Sequence, residues 1–387
     1  MGNRYIWQSK GWHEALATAA SPYSQQLEQA VRKEAERLSA VTDALSEGIS
    51  AEAHAALLAD EGTMSHAIEG VKLSRDSFFA SALRRLGALP RGQVDRRHAP
   101  AIEALIDATE NAHEPLTEAR LHRWQEAALT HQANTFFPAL TGMYRATADE
   151  MQIVTRHAAG RETMHYTAPP ADRVVDEMNA LIEWINASPQ ADTFTGAAIA
   201  HLWFEIIHPY EDGNGRVGRL LWDRQIARAA ADAGLRGGRW WSVSHEIARD
   251  TTPYYEALNA ASTGRASPEE LVHWGLQTTS DAFQRTRRVA RDVVKGHEII
   301  ARSASANLNH RQRDLLGLLI KFGSEGFEQG VSVRKHCSLT KASRATASRD
   351  LAGLVAAGFL LPRGEGRSRV YSLAWDTPTG RKQADDE

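Results

Sequence analysis

The chain has 387 residues with 45 Lys or Arg and 48 Asp or Glu, so its formal net charge is −3 at pH 7. This balance excludes a protein that binds polyanions through its overall charge, and the absence of any run of 18 apolar residues predicts no membrane contact. A single cysteine, Cys337, excludes an intrachain disulfide framework and favours a reducing compartment, which predicts a cytoplasmic protein.

The length predicts two or three domains, and the patterns are mostly helical because Ala, Leu, Glu and Arg recur while β-branched runs are few. We predict a small helical domain over residues 1–48. Further helices follow over 49–134, one of them at about 63–86. A larger helical core is predicted over 135–302.

Within that core the helical pattern is interrupted once. Two short β-prone runs flank a Gly-containing loop over 151–168, which predicts a β-hairpin. The strongly apolar segment 194–207 then predicts a buried, central helix. It must end at His208, because proline at 209 disfavours the α conformation in the residue before it.

The C-terminal part changes in composition and charge. A small, polar linker begins near residue 303, and three helical patterns followed by two strands predict a winged helix over 303–377, with a disordered tail over 378–387. Segment 307–370 holds 11 Lys or Arg against 5 Asp or Glu. The basic residues of the predicted recognition helix and wing are Lys341, Arg344, Arg349, Arg363, Arg367 and Arg369. DNA contact, protein docking and homodimerisation all remain open for this domain.

The most informative stretch is HPYEDGNGRVGR at 208–219. Gly213 and Gly215 remove side chains where a helix begins, so backbone N–H groups there can approach an anion. Arg216 and Arg219 are three residues apart on the first turn, where two guanidinium groups suit a polyphosphate.

Two other side chains of this stretch suggest chemistry. His208 has an ordinary pKa of about 6.5 and can act as a general base. Asp212 is a carboxylate placed to hold a magnesium ion, which usually takes one or two carboxylates together with phosphate oxygens. A helix–loop–helix corner is the structural alternative for each feature taken alone, but the complete set at fixed spacing disfavours it.

The stretch resembles the signature of the Fic family, H-P-F-x-D/E-G-N-G-R-x-x-R, and matches eight of its nine specified positions. The mismatch is Tyr210, which stands at the usual buried Phe and must place its hydroxyl. The resemblance covers roughly 135–300. It implies an all-helical core with a hairpin flap that transfers AMP from ATP to a Ser, Thr or Tyr hydroxyl of a target protein of unknown identity.

The resemblance also assigns roles to residues of this chain. It implies that His208 deprotonates the hydroxyl and that Asp212 binds Mg²⁺ or Mn²⁺. Gly213, Asn214 and Gly215 would surround the α-phosphate, while Arg216 and Arg219 would hold the β- and γ-phosphates. These are the residues listed by the family signature.

Two further regions of the family fall on this sequence. The flap that would bind the target backbone by strand addition corresponds to Thr163, Met164, His165 and Tyr166. The adenine pocket corresponds to Tyr255 and, seven residues on, Ser262, where many members have Asn. This substitution leaves the nucleotide preference open.

An inhibitory motif of the family, S/T-x-x-x-E-G/N, resembles Ser65, Glu69 and Gly70. The resemblance implies that Glu69 pairs with Arg219 and holds ATP in a nonproductive pose. The same glutamate could orient a water for AMP removal, so deAMPylation is an alternative. A DNA-binding regulator with a nucleotide-sensing core is the alternative from another functional class.

Overall fold

The chain folds into helices with two small β-hairpins, as the sequence predicts. The computed structural model describes residues 5–18, 22–88, 95–130, 141–147, 151–156, 162–265, 267–326 and 330–374. The chain divides into two units, Met1–Arg287 and Arg288–Glu387. Within the described residues no helix is both long enough and apolar enough to cross a bilayer. The tail predicted over 378–387 lies outside the described residues.

The first unit begins with helices that precede the hairpin and continues with helices that follow it. The helices before the hairpin are α1 (Trp12–Ala17), α2 (Pro22–Thr42), α3 (Glu47–Ile68), α4 (Arg75–Arg85), α5 (Ala99–Glu110) and α6 (Glu118–Leu129). Those after it are α7 (Ala171–Ala187), α8 (Phe194–Ile207), α9 (Asn214–Asp232), α10 (Val243–Arg249), α11 (Thr252–Ser262) and α12 (Pro268–Ser305), the last of which continues into the second unit.

Helix α8 is the centre of the first unit. Every residue from Phe194 to Ile207 is buried, as predicted for a helix that is apolar all round. Thr193 caps its N-terminus by accepting a hydrogen bond from Gly196 N at 2.9 Å. Helix α9 packs along α8, so the loop between them is held by two buried helices.

The predicted hairpin at 151–168 is present. Strand β1 (Gln152–Arg156) pairs antiparallel with β2 (Glu162–Thr167), and Ile153 lies opposite Tyr166 with a register shift after it. The loop between the strands lies outside the described residues.

The predicted single helix at about 63–86 is wrong, because the chain breaks there into α3 and α4. Gly70 has a φ of +78° and ends α3 in a Schellman motif. Its N–H donates to Ala67 O at 3.0 Å, and Val71 N–H donates to His66 O at 2.9 Å. The turn therefore leaves Glu69 at the C-cap of α3, directly after the last helical residue.

Helix α3 is anchored in the first unit by two buried carboxylates. Asp60 accepts from Arg75 Nε at 2.6 Å and from Arg285 Nη2 at 2.8 Å. Glu61 accepts from Ser242 Oγ at 2.9 Å. Breaking a buried, paired charge costs about 3–5 kcal/mol, so these contacts fix the position of α3 strongly.

The second unit has the order of elements predicted for the C-terminal domain. After the end of α12 come α13 (His310–Gly326), α14 (Val333–Thr340), α15 (Arg344–Ala356), β3 (Leu360–Arg363) and β4 (Val370–Leu373). The two strands pair antiparallel, and Val331 forms a bridge to Tyr371 of β4. This unit has its own hydrophobic cluster, which includes Leu315, Leu351 and Leu354.

Candidate active site

The loop between α8 and α9 is held in an unusual backbone conformation. His208 has a φ of +50° and Gly213 a φ of +90°, so the chain leaves α8 and enters α9 through two left-handed residues. Such a φ is uncommon for a residue with a side chain, and at His208 it ends α8 in a left-handed backbone conformation. The side chain of Asn214 closes the loop: it accepts from Tyr210 N and donates to Tyr210 O, both at 2.8 Å.

Two residues from outside the loop brace it. Arg145 donates through Nε to His208 O at 2.8 Å, and its backbone N–H donates to Pro209 O at 2.9 Å. Gln125 of α6 donates through Nε2 to Asp212 O at 3.1 Å. Because these bonds satisfy carbonyl groups that no helix accounts for, they fix the loop before any ligand binds.

Tyr210 places its hydroxyl as the sequence requires. The residue is buried, and its O–H contacts His122 Nδ1 at 3.0 Å. His122 Nε2 lies 3.1 Å from Glu118 Oε1, so the tautomer with a proton on Nε2 lets Nδ1 accept from Tyr210. The Tyr at this position therefore keeps the buried aromatic ring and adds a link to α6.

His208 is half-buried at the mouth of the loop. Its side chain is 19% exposed, and Nδ1 lies 3.9 Å from a carboxylate oxygen of Glu205. Burial lowers the pKa of His208 to about 4, and the Arg145 guanidinium acts in the same direction. The imidazole is therefore neutral at physiological pH, as a proton acceptor must be.

Glu205 is a buried carboxyl group one helical turn before His208. It is 8% exposed, and its Oε1 is a buried atom with no hydrogen-bond partner. A side chain on residue 218 would collide with that oxygen, which explains the glycine at 218. Burial raises the pKa of Glu205 to about 8, although the Arg219 guanidinium opposes the shift.

Asp212 and Arg216 contact each other at the start of α9. Asp212 is 43% exposed, and its Oδ1 accepts from Gly213 N at 2.6 Å and from Arg216 Nη2 at 3.2 Å. Arg216 is buried and also donates to Ala128 O at 2.7 Å. Burial lowers its pKa, against the influence of Asp212. In this structure Arg216 links α9 to α6.

Arg219 is the arginine that meets the predicted inhibitory motif. Its guanidinium is 1% exposed; Nε donates to Ser65 Oγ at 3.0 Å, and Nη2 donates to Ser65 O and to Glu69 Oε1, both at 2.9 Å. Burial alone would lower the pKa of Arg219, but the Glu69 carboxylate, together with Tyr254 and Glu205, outweighs burial and raises the pKa. The predicted contact between Glu69 and Arg219 is thus present.

The carboxylate of Glu69 lies over the first turn of α9. A Cβ atom on residue 215 would collide with Glu69 Oε1, so the glycine at 215 leaves room for it. The N–H groups of this first turn have no acceptor within the helix and favour an anion. Glu69, which is 31% exposed, therefore brings a negative charge to the position where the sequence predicts phosphate.

Both residues predicted for the adenine pocket lie on α11. Tyr255 is exposed and Ser262 is buried. The Tyr255 ring packs against Tyr254, whose hydroxyl contacts His201 Nε2 at 3.2 Å. The two residues are two turns apart on one helix, and no described contact joins their side chains.

The predicted flap residues, 163–166, all lie on strand β2. The backbone of 163–165 belongs to β2, while their side chains lie outside the description. Tyr166 is buried and donates its hydroxyl to Ile206 O at 2.9 Å. In this structure the Tyr166 side chain joins the hairpin to the end of α8.

The loop between α8 and α9 offers one carboxylate, that of Asp212, to a divalent ion. Among the described residues there is no group of three or more His, Cys, Asp or Glu side chains that could hold a metal by itself. Mg²⁺ bound with a nucleotide needs only one or two carboxylates besides phosphate oxygens, and the half-exposed Asp212 fits that requirement.

Sequence reasoning missed four residues of the site. Gln125 and Arg145 brace the loop, His122 receives the Tyr210 hydroxyl, and Glu205 lies beside His208. Only Glu205 carried a signal, since it is the one carboxylate in an otherwise apolar helix.

The chain is similar to known proteins in separate segments. Residues 115–225 match the family model of the Fic/DOC family, and residues 5–88 match a domain of unknown function, DUF4172. A probable protein adenylyltransferase of Aquifex aeolicus is 38% identical over 56 residues, which are 14% of this chain and 18% of that protein. The protein adenylyltransferase fic-1 of Caenorhabditis briggsae is 34% identical over 139 residues, 34% of this chain and 25% of that protein. The chain thus spans about a quarter or less of these relatives.

Solved structures are similar at lower identity. A Fic family protein from Desulfovibrio desulfuricans G20 aligns with a TM-score of 0.48 and 20% identity, covering 94% of this chain and 98% of that chain. A Fic domain containing signaling protein from Bacteroides thetaiotaomicron aligns with a TM-score of 0.49 and 18% identity, covering 69% and 97%.

Proposed function

We propose that this chain, whose residues 115–225 match the Fic/DOC family model, transfers AMP from ATP to a hydroxyl group of a target protein. The observation that carries the proposal is the loop at 208–219, which holds a neutral histidine and a helix N-terminus flanked by arginine. Adenylyl transfer needs a base for the attacking hydroxyl and donors for the phosphate charge, and this loop supplies both.

His208 is the proposed base. Its Nδ1 faces the buried Glu205 side, so Nε2 is the nitrogen available to the acceptor hydroxyl. The lowered pKa keeps the ring neutral, although it also makes His208 a weaker base than an exposed histidine. Arg145 fixes the backbone of His208, so this part of the loop need not be rearranged when substrate binds.

The first turn of α9 is the proposed site of the α-phosphate. Its N–H groups at Asn214 and Gly215 point along the helix axis, where a helix N-terminus favours negative charge. The position of the Glu69 carboxylate over Gly215 supports this assignment, since that carboxylate is itself an anion. The Asn214 side chain is bonded to Tyr210, so we assign it to positioning the loop and only its N–H to phosphate.

The proposed step forms one bond and breaks one. The target hydroxyl oxygen attacks the α-phosphorus, its proton passes to His208, and the bond from that phosphorus to the bridging oxygen of pyrophosphate breaks. Arg219, and Arg216 once it leaves Asp212, would offset the charge of the departing pyrophosphate. Asp212 would hold Mg²⁺ or Mn²⁺, and the bound ion would neutralise phosphate charge.

Glu69 is the proposed inhibitory residue of this enzyme. Glu69 accepts a charge-assisted hydrogen bond of 2.9 Å from Arg219. The guanidinium of Arg219 would otherwise bind the terminal phosphates. The Glu69 carboxylate would also repel a phosphate brought to Gly215. AMP transfer therefore requires Glu69 to move.

A second candidate is the reverse use of the same site. A carboxylate beside the phosphate position can act as a base toward water, so Glu69 could support removal of AMP from a modified protein. Removal of AMP would need the carboxylate of Glu69 in place, whereas AMP transfer needs Glu69 to move away.

The test measures self-modification by intact mass after incubation with ATP and Mg²⁺. Wild type, Glu69→Gly and Glu69→Gly/His208→Ala are compared. We expect one or more AMP adducts on Glu69→Gly, fewer on wild type and none on the double variant. No adduct on any variant, with ATP binding intact, would contradict AMP transfer.

Three additions separate the alternatives. Glu69→Gln removes the charge but keeps the side-chain length, so activation by both variants assigns inhibition to charge. Mixing AMP-modified Glu69→Gly with wild type tests removal of AMP. Replacing ATP with GTP, CTP or UTP tests the nucleotide preference that Ser262 leaves open.

A further inference from the structure

The second unit carries a charge opposite to that of the rest of the chain. Residues 330–374 contain eight Lys or Arg and two Asp or Glu, a net charge of +6, while the whole chain is −3. The other residues therefore carry −9. Such a separation of charge along one chain indicates that the basic part has an acidic partner.

Within residues 330–374 the described Lys and Arg side chains are exposed, while the carboxylate of Asp350 is buried. Arg344 and Arg349 of α15 are exposed. Asp350, the next residue, is 3% exposed and accepts from Arg311 Nε at 2.9 Å and from Asn309 Nδ2 at 2.9 Å. Among the side chains that the structure describes between residues 330 and 374, Glu365 is the one exposed acidic residue.

Helix α15 has an outer face of short side chains beside its two exposed arginines. Ala345, Ser348 and Ala352 are exposed, and together with the two arginines they form the outer face of the first three turns. The inner face carries Leu351 and Leu354, which lie in the hydrophobic cluster of the unit. Short side chains let a helix approach a groove closely, while flanking arginines reach its phosphates.

The hairpin adds a second basic element. Arg363 at the end of β3 and Arg369 just before β4 are both exposed, on either side of a turn in which Gly364 has a φ of +73°. Helix α15 packs against β3 through the cluster that includes Leu360. The helix and the hairpin are therefore held together in one rigid unit, with arginines on both.

We propose that the exposed face of α15 and the β3–β4 hairpin bind duplex DNA, with α15 in the major groove and the hairpin arginines on the backbone. A regular polyanion matches a surface with many cations and one exposed acid. The network that turns Asp350 inward keeps the helix fixed and removes the carboxylate that would repel phosphate. The proposal is independent of AMP transfer, because it uses no residue of the first unit.

The experiment is fluorescence anisotropy of a labelled 30-base-pair duplex of mixed sequence with the full chain at 50 to 200 mM salt. The charge-reversed variant is Arg344→Glu/Arg349→Glu. The matched control, Arg123→Glu/Arg236→Glu, makes the same change of net charge at exposed positions of the first unit. Circular dichroism spectra and thermal unfolding followed by circular dichroism establish that each variant is folded, since both signals include the helices of the second unit.

We expect wild type and control to bind with affinity that falls steeply with salt. The Arg344→Glu/Arg349→Glu variant should bind about 100-fold more weakly at 50 mM salt, and its slope of log affinity against log salt should be smaller by about 2. Duplex RNA should bind more weakly than DNA, because its narrow major groove does not admit a helix.

Four outcomes would overturn the proposal. Failure of wild type to bind duplex DNA at 50 mM salt would overturn it, and so would a control that weakens binding as much as the α15 variant. Equal binding of duplex RNA would refute insertion of α15 in the groove. A change of oligomeric state in the α15 variant, without DNA binding by wild type, would assign the surface to a second copy of the chain instead.

Discussion

Replacing the buried Glu205 with glutamine should change how the stability of the first unit depends on pH. Burial raises the pKa of Glu205 from its ordinary value of 4.5 to about 8 in the folded state. Between these values the folded protein keeps a proton that the unfolded chain has lost. The stabilisation from this proton is complete below pH 4.5 and is lost progressively as pH rises toward 8.

The magnitude follows from the width of that window. Each pH unit inside it lowers the free energy of unfolding by about 1.4 kcal/mol. Between pH 5 and pH 7.5, the wild type should therefore lose about 3 kcal/mol relative to Glu205→Gln, which has no proton to release. His201 and His208 titrate in both proteins, so their contributions cancel in the difference.

Guanidinium denaturation followed by tryptophan fluorescence measures this difference. Nine of the ten tryptophans precede residue 288, so the signal reports mainly the first unit. Glu183→Gln, which changes an exposed carboxylate, is the control and should give a curve parallel to that of wild type. A parallel curve for Glu205→Gln as well would refute the reasoning, because Glu205 would then have the same pKa in both states.

Two other predictions concern the neighbouring residues. Tyr210→Phe should lower the free energy of unfolding by about 1 kcal/mol, because it removes a buried hydrogen bond. The loss in the Tyr210→Phe/His122→Ala double variant should be smaller than the sum of the two single losses, because both changes remove that bond; full additivity in the same fluorescence assay would contradict the bond. In Glu69→Gly, kcat/KM for AMP transfer should stay constant as pH falls to about 5, because the His208 pKa is lowered to about 4 and removing Glu69 takes away an influence that raises it. An acid limb near pH 6.5 in the rate profile would mean that His208 is solvated like an exposed histidine.

The sequence predicts those parts of the molecule that depend on local pattern. Helix α8 follows from an unbroken apolar segment, and its end at His208 follows from the proline after it. The hairpin and the order of elements in the second unit follow from the spacing of apolar residues and from the residues that favour turns. The end of α3 also has a local signal, since a glycine follows Glu69 and glycine often ends a helix. The helical pattern on both sides of that glycine nevertheless favours one continuous helix.

The remaining features depend on contacts between distant parts of the chain. Arg145 reaches a carbonyl 63 residues away, from a segment without hydrophobic period. His122 and Tyr210 are 88 residues apart. Asn214 has a side chain that could bind phosphate or backbone, and only the folded loop decides in favour of Tyr210. Pattern alone cannot rank such pairings, because many polar residues could serve as the partner.

The C-cap position of Glu69 has a consequence for how sharply the proposed inhibition can respond. Asp60 and Glu61 hold α3 to its neighbours, so a signal need only disturb the one hydrogen bond between Glu69 and Arg219. A hydrogen bond to a charged group contributes about 1.5–3 kcal/mol, which corresponds to roughly a 10- to 150-fold ratio between closed and open populations. In the unliganded protein a measurable fraction of the molecules would then have Glu69 away from Arg219. The rate of AMP transfer would rise gradually with effector concentration, without any need to unfold α3.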